Sequence, residues 1–358
     1  MKVERAALAK VLSNVRKAVA EGDTVPVLTH LLVDGGEITA TDLDIGIVAS
    51  FPPFEGMSFI IPADRFCKLV ASLPNEFLKI SLDDNVLSIK AKGHNSKFVV
   101  SPPTPEFPRI RREFRNWFKP TDDLIPALGY CLKTMNPTRG AAFGSVLWSE
   151  HGVVSSDTAV ITWCPVEGDF PEPGVLLSGK FVKEAHRMGK PKGWVIHEDS
   201  VCFDYEDTQL VGHLVDAQFP EQWQSYFPSE KPEGLVELNH EVSKVLSRVG
   251  KFSEDDGFGT ETALTSLSLG KDGLSLDYED NTGTITEQVA LKSSTEWQIK
   301  INSARLSEIL SICDFAAHVE EGGRSVLYLV GKKGSPRVVM SVKPQGKEKE
   351  EEAEDEQQ

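Results

Sequence analysis

Asp42 and Asp44 form an acidic pair of the kind that could do carboxylate chemistry. Two carboxyl groups flanking a bond can act as acid and base, or as acid and nucleophile. The spacing, however, puts both at the end of a strand, where turn aspartates are commonplace because they hydrogen-bond their own backbone. No Walker loop, no G-x-S-x-G and no H-E-x-x-H occurs along the chain. The thiols offer no better start. Cys67, Cys131, Cys164, Cys202 and Cys313 are far apart, odd in number and set in apolar contexts. No C-x-x-C and no Cys/His cluster has zinc-ligand spacing. They are expected to be small buried residues in a reducing compartment. Neither catalysis nor a metal or cofactor is expected.

The chain is long enough for two or three domains. Of its 358 residues, 40% are hydrophobic and 26% charged, as in ordinary globular proteins. No apolar run approaches membrane-spanning length, and Met1-Lys2-Val3-Glu4-Arg5 leads into no apolar signal core. The expected location is the cytoplasm, without a membrane partner. The formal charge is −16, which taken alone argues against nucleic acid. Its distribution argues otherwise. A tail from Pro344 to Gln358 carries about −5 of the total. This acidic tail, residues 344–358, is expected to be disordered.

The elements repeat. Phe59-Ile60-Ile61-Pro62-Ala63-Asp64-Arg65-Phe66 has counterparts in Leu176 to Lys183 and Ile299 to Leu306. Each is a β-rich run, then a small or polar residue, then an amphipathic helix. The copies lie roughly 120 residues apart, about one small domain each. Before each comes a strand ending in an acidic turn: Thr39 to Asp42, Ser155 to Asp157, Asp277 to Asp280. After each come paired strands: Leu87 to Lys90 with Phe98 to Val100, Val201 to Phe203 with Val211 to Leu214, Val326 to Leu329 with Val338 to Met340. The first two units close alike, on Phe107-Pro108 and Phe219-Pro220. Each unit also opens with a helix. The fold class is therefore α+β, with domains at 1–118, 119–232 and 233–343.

The helices have basic backs. In the opening helix Leu8, Leu12, Val15 and Val19 form a stripe, with Lys10, Asn14 and Lys17 opposite. In the third unit Val242, Leu246 and Val249 are opposed by Lys244, Arg248 and Lys251. Lys133 opposes Leu128 and Leu132, and Lys68 opposes Phe66, Val70 and Leu73. Lys183, Arg187 and Lys190 oppose Phe181, Ala185 and Met188. The last internal helix differs, with Glu308 on that face and Arg305 to one side. Bases gathered on helices in a chain of 54 acids and 38 bases imply one positive surface and one negative one. Such faces can touch phosphates without reading bases. No base-reading motif is present, so the expected partner is double-stranded DNA, held weakly and without sequence preference. A scaffold that binds only proteins would not need these lysines.

These features resemble the bacterial replicative sliding clamp, the beta subunit family of the DNA polymerase III holoenzyme. The resemblance runs over residues 1 to 343. It rests on Thr24-Val25-Pro26-Val27-Leu28, Ile38 to Ile45, Ile61-Pro62-Ala63, Ser72-Leu73-Pro74, Phe98 through Pro108, Leu214-Val215-Asp216 with Phe219-Pro220, and Val338-Val339-Met340. It implies three DNA-clamp domains per chain, with helices lining a central hole and antiparallel sheets outside. A head-to-tail homodimer would close the ring. The implied function is that of a processivity factor in DNA replication, not an enzyme. Its partners would be the replicative DNA polymerase, a clamp loader and other motif-bearing proteins near the nucleoid.

The resemblance also implies sites. Phe98 and Val100 would meet Lys251 and Phe252 of a second copy at the dimer interface. A partner-peptide pocket would be lined by Phe143, Ser156, Thr158, Ala159, Val160, Ile161, Pro220, Tyr226, Asn302, Arg305, Ser325, Val338, Val339, Met340, Ser341 and Val342. Lys10, Lys17, Lys68, Lys133, Lys183, Arg187, Lys190, Lys244 and Arg248 would face DNA. The chain departs from the family in three places. Thr158-Ala159-Val160-Ile161 stands for a Gly-His-Arg-Leu-like run, and Met340-Ser341-Val342 for a Met-Pro-Met-like ending. The loop Glu21-Gly22-Asp23 lacks a basic residue. The preferred peptide is therefore expected to differ.

Overall fold

Among the described residues, apolar alternation with period two produces four antiparallel sheets, and apolar stripes at helical spacing produce six α-helices that cover them. The computed structural model describes residues 1–344 except 23–24, 75, 111–112, 254–263 and 280–282. Asp23, Thr24, Asp280 and the acidic tail beyond Pro344 lie outside the described residues. The helices are α1 (Arg5–Val15), α2 (Ala63–Ser72), α3 (Leu124–Cys131), α4 (Gly179–Met188), α5 (His240–Ser253) and α6 (Ser303–Ile309). No helix among the described residues is long and apolar enough to cross a membrane.

Two compact units form: residues 1–126 with 167–216, and residues 127–166 with those from 217 on. This grouping cuts through the expected 119–232 segment because strands from successive repeats hydrogen-bond into one sheet. In the first unit the order is Gly193–His197, Ser200–Asp204, Thr208–His213, Ile45–Ser50, Glu37–Thr41, His30–Asp34, Ser58–Pro62. The join pairs Leu210 with Ile47 and Val211 with Gly46. The second unit repeats the device, pairing Thr162 with Val338 and Ile161 with Val339.

Each unit also holds a sheet confined to one repeat. In the first, Lys2–Glu4, Phe77–Asp83, Val86–Ala91 and His94–Val99 follow in that order. In the second, the order is Thr284–Ala290, Gly273–Glu279, Leu264–Leu269, Trp297–Asn302, Lys343–Pro344. His94–Val99 and Thr284–Ala290 are edge strands with one side unpaired among the described residues.

The cores follow from the stripes. Leu8, Leu12 and Val15 of α1 are buried, as are Phe66 and Val70 of α2 and Phe181 and Ala185 of α4. All three helices pack on the first unit's sheets. Val242, Leu246 and Val249 of α5 join Leu306 and Ile309 of α6 in the second core. Contact is close there, because a Cβ on Gly250 would lie 2.8 Å from the Ala304 Cα. All five cysteines are free and buried. Burial pushes the Cys67 thiol up to about 11.

Candidate docking groove and basic helix faces

The second unit carries a groove of about 510 Å³ on the outer face of its sheet. Its floor begins at a turn. Asp157 Oδ1 accepts from the Ala159 and Val160 amides at 3.0 and 2.8 Å, and Thr158 N donates to Ser156 Oγ at 3.0 Å. Thr158 sits at φ 83°, a left-handed conformation that such side-chain caps hold in place. Arg305 of α6 donates to Asp157 Oδ2 at 2.5 Å and to Glu308 at 2.6 Å. Asn302 caps α6, its Oδ1 accepting from the Arg305 amide at 2.9 Å. Asn302 and Arg305 thus stand behind the groove and fix its turn; neither lines it.

Strand alternation then sorts the apolar residues. Ile161 and Val339 are cross-strand partners that face the groove. Val160, Val338 and Met340 lie on the other face, in the second unit's core. The expectation that these three line the pocket is therefore corrected: they alternate with Ile161, Val339 and Ser341 along their strands and point to the core side. Phe143, Ser156, Thr158, Ala159, Ile161, Pro220, Tyr226, Ser325, Val339, Ser341 and Val342 do come together.

Four lining residues escaped the sequence: Phe219, Trp223, Arg324 and Val326. The repeated Phe-Pro pair was the available signal for Phe219. Trp223 packs edge-on to Trp163 at 5.6 Å. Arg324 stacks over Tyr226 at 4.7 Å and donates to the Ser225 carbonyl at 3.0 Å. Ser325 Oγ meets His318 Nε2 at 2.8 Å. Burial holds the His318 imidazole below its ordinary value, while Glu320 pulls it the other way. The mixture of apolar floor and few polar groups suits a short apolar peptide.

The basic residues fall into two groups. Lys10, Lys17, Lys133 and Lys183 are exposed, and none has an ion-pair partner among the described residues. The rest are paired: Lys68 with Asp64 at 2.8 Å, Arg187 with Glu184 at 2.6 Å, Lys190 with Asp122 at 2.5 Å, Lys244 with Glu241 at 2.8 Å. Arg248 forks onto both oxygens of Glu287 at 2.9 and 3.0 Å. The wheel is also corrected at helix ends. Lys17 lies in a 3-10 turn after α1, Lys133 follows α3, and Lys190 follows Gly189, whose φ of 84° ends α4. Among the described residues no group of three or more His, Cys, Asp or Glu could hold a metal ion.

Residues 1–110 match the family model for the DNA polymerase III beta subunit, N-terminal domain. The beta sliding clamp of Staphylococcus aureus is 22% identical, over 93% of this chain and 95% of its own. The beta sliding clamp of Caulobacter vibrioides is 24% identical over 73% and 77%. The match to the beta subunit's N-terminal domain thus covers the first 110 residues, and the likeness to the curated clamps extends over most of the chain. The fold agrees. The sliding clamp of Bartonella birtlesii, solved bound to griselimycin, superposes with a TM-score of 0.82 at 20% identity, over 96% of this chain and 98% of that one. The Thermotoga maritima beta subunit gives 0.79 at 19% identity, over 96% and 99%.

The residues expected at a clamp seam differ in exposure within the chain itself. Val100 is buried, its amide donating to the Asn85 carbonyl at 2.8 Å. Val99 is 82% exposed at the edge strand's end instead. Phe98 is half-buried and packs edge-on to Phe66 of its own unit at 6.0 Å. Phe252 is exposed beside Tyr278, ring to ring at 6.0 Å, and Lys251 is exposed next to it.

Proposed function

We propose that this chain is a replicative sliding clamp. Two copies close head to tail around duplex DNA and tether the replicative polymerase, while a loader and other motif-bearing proteins use the same groove. Three clamp domains, at 1–118, 119–232 and 233–343, make up each half-ring. The protein works in the cytoplasm, at the nucleoid. It performs no chemistry: processivity comes from enclosure, and sliding from contacts too weak to hold one position.

The observation that carries this reading is the pair of open sheet edges. Unpaired edges invite pairing with another chain. His94–Val99 ends on exposed Val99, and Thr284–Ala290 lies in the sheet that holds Tyr278, against which Phe252 packs. An edge from each end of one chain suits a heterologous contact, and such contacts make rings when the rotation closes. The unpaired Lys10, Lys17, Lys133 and Lys183 supply phosphate contacts without base reading. In a chain of net charge −16 they also steer DNA to one surface.

The test is native mass by light scattering at micromolar concentration, with Phe252→Asp alongside. The expected result is a dimer that the substitution turns into monomer, because a carboxylate buried without a partner is costly. A dimer untouched by Phe252→Asp would place the seam elsewhere, and a wild-type monomer would remove the ring.

A further inference from the structure

The first unit contains the same turn as the groove. Asp42 Oδ1 accepts from the Asp44 and Ile45 amides at 3.1 and 2.9 Å, and Leu43 N donates to Thr41 Oγ1 at 3.1 Å. Leu43 has φ 79°, as Thr158 has φ 83°. Lys180 of α4 pairs with Asp42 as Arg305 of α6 pairs with Asp157. The register extends the match. Gly46 pairs with Val211 and Val211 with Cys202, where the second unit pairs Ile161 with Val339 and Val339 with Tyr328.

The two copies differ in what lies on that row. In the first unit Ile110 and Phe114 cover it. Phe114 is 8% exposed and clusters with Val195, Cys202 and Val211, with Ile110 packed alongside. A Cβ on Gly46 would fall 2.3 Å from Ile110 Cδ1, so any larger residue there would displace this side chain from its present position. In the second unit Ile161 fills that space itself. Counting from the shared Phe-Pro pair, Gln222 stands where Ile110 does, and Tyr226 where Phe114 does. Tyr226 is 44% exposed. The second linker anchors instead through Trp223 and Phe227, against Trp163 at 5.6 and 5.3 Å. Val48 occupies the position of Trp163 in the first unit and offers no such aromatic anchor.

We propose that the first unit holds a second, closed docking groove, and that Ile110 and Phe114 occupy it as the two anchors of a peptide ligand in cis. The groove takes an aliphatic side chain and, four residues on, an aromatic one. Of these two matching turns, the second unit's thus has an open groove, whereas the first unit's is already filled by Ile110 and Phe114. This rests on the repeated hydrogen bonding and not on what binds the second groove.

The experiment uses the full chain and a labelled peptide spanning residues 105–119. Peptide uptake is compared between wild type and Ile110→Ala/Phe114→Ala, and for the double variant carrying Gly46→Val. The double variant is expected to bind one more peptide per chain than wild type. Gly46→Val should abolish that extra equivalent by filling the vacated space, and a peptide with serine at both anchor positions should not supply it. Equal stoichiometry in wild type and a folded double variant overturns the proposal, as does extra uptake that survives Gly46→Val. If the double variant does not fold alone, the peptide must restore cooperative unfolding; no restoration overturns the proposal equally. Failure of the second unit's open groove to bind partners would appear only in the wild-type baseline.

Discussion

Replacing Asp157 by alanine removes three interactions at once: two backbone amides lose their acceptor and Arg305 keeps only Glu308 of its two carboxylate partners. The two side chains are 11% and 23% exposed, so solvent replaces little of what is lost. Breaking a buried ion pair by removing one partner costs about 3–5 kcal/mol. Partial exposure and the surviving Glu308 contact put this pair below that range, at about 2 kcal/mol. Asp157→Asn keeps the Oδ1 acceptor and loses mainly the charge, costing about 1–2 kcal/mol by comparison with ordinary charged hydrogen bonds. The groove feels the change directly because Ser156, Thr158 and Ala159 line it from this turn. Losing about 1.4–2.8 kcal/mol of peptide binding corresponds to roughly 10- to 100-fold in Kd. Urea unfolding of the full chain gives the stability change, and fluorescence anisotropy with an apolar clamp-binding peptide gives the affinity. Asp42→Ala is the internal control: it removes the matching turn in the first unit and should cost similar stability with peptide affinity unchanged. Asp157→Ala with unaltered affinity, or Asp42→Ala with equally reduced affinity, would refute the assignment of this turn to the groove.

Two other perturbations follow from the same geometry. His318 has its folded value depressed by burial, so its contribution is present above the ordinary imidazole range and is lost as pH falls through the folded value. Its contact with Ser325 carries that to the groove: peptide affinity should weaken several-fold from pH 7 to 5, and His318→Gln should flatten the profile; an unchanged fall in the variant refutes the link. Changing Lys10, Lys17 and Lys183 together to Glu should weaken DNA retention and lower the salt dependence by up to about three in log–log slope; an unchanged slope would take these lysines off the DNA-facing surface.

Much of the fold was legible because period and spacing survive in the residues. The stripes of α1, α2, α4 and α5 are the buried faces, and the acidic turns at Asp42 and Asp157 end the strands that the repeats placed there. What was not legible depends on long-range pairing. Lys180 and Asp42 meet across 138 residues of sequence, and nothing near either residue announces it. The sheets join strands of successive repeats, so the compact units regroup the segment 119–232 instead of following its expected ends. The groove was readable as a region and misread by parity. A continuous run such as Val338 to Val342 cannot face one way in a strand, and Val338 and Met340 belong to the core. The same parity explains Val99 and Val100. Lys17, Lys133 and Lys190 were placed on wheels that extend past the real helix ends.

Enclosure of DNA is the central claim, and it is tested by topology more directly than by affinity. The chain is assembled with a clamp loader on nicked circular DNA, the free protein is removed, and half the sample is cut once with a restriction enzyme. Retention by gel filtration should persist on the circle and vanish from the linear molecule within the time needed to slide off its ends. Equal retention on both would mean that the chain holds DNA by its charges alone, and would contradict the clamp account.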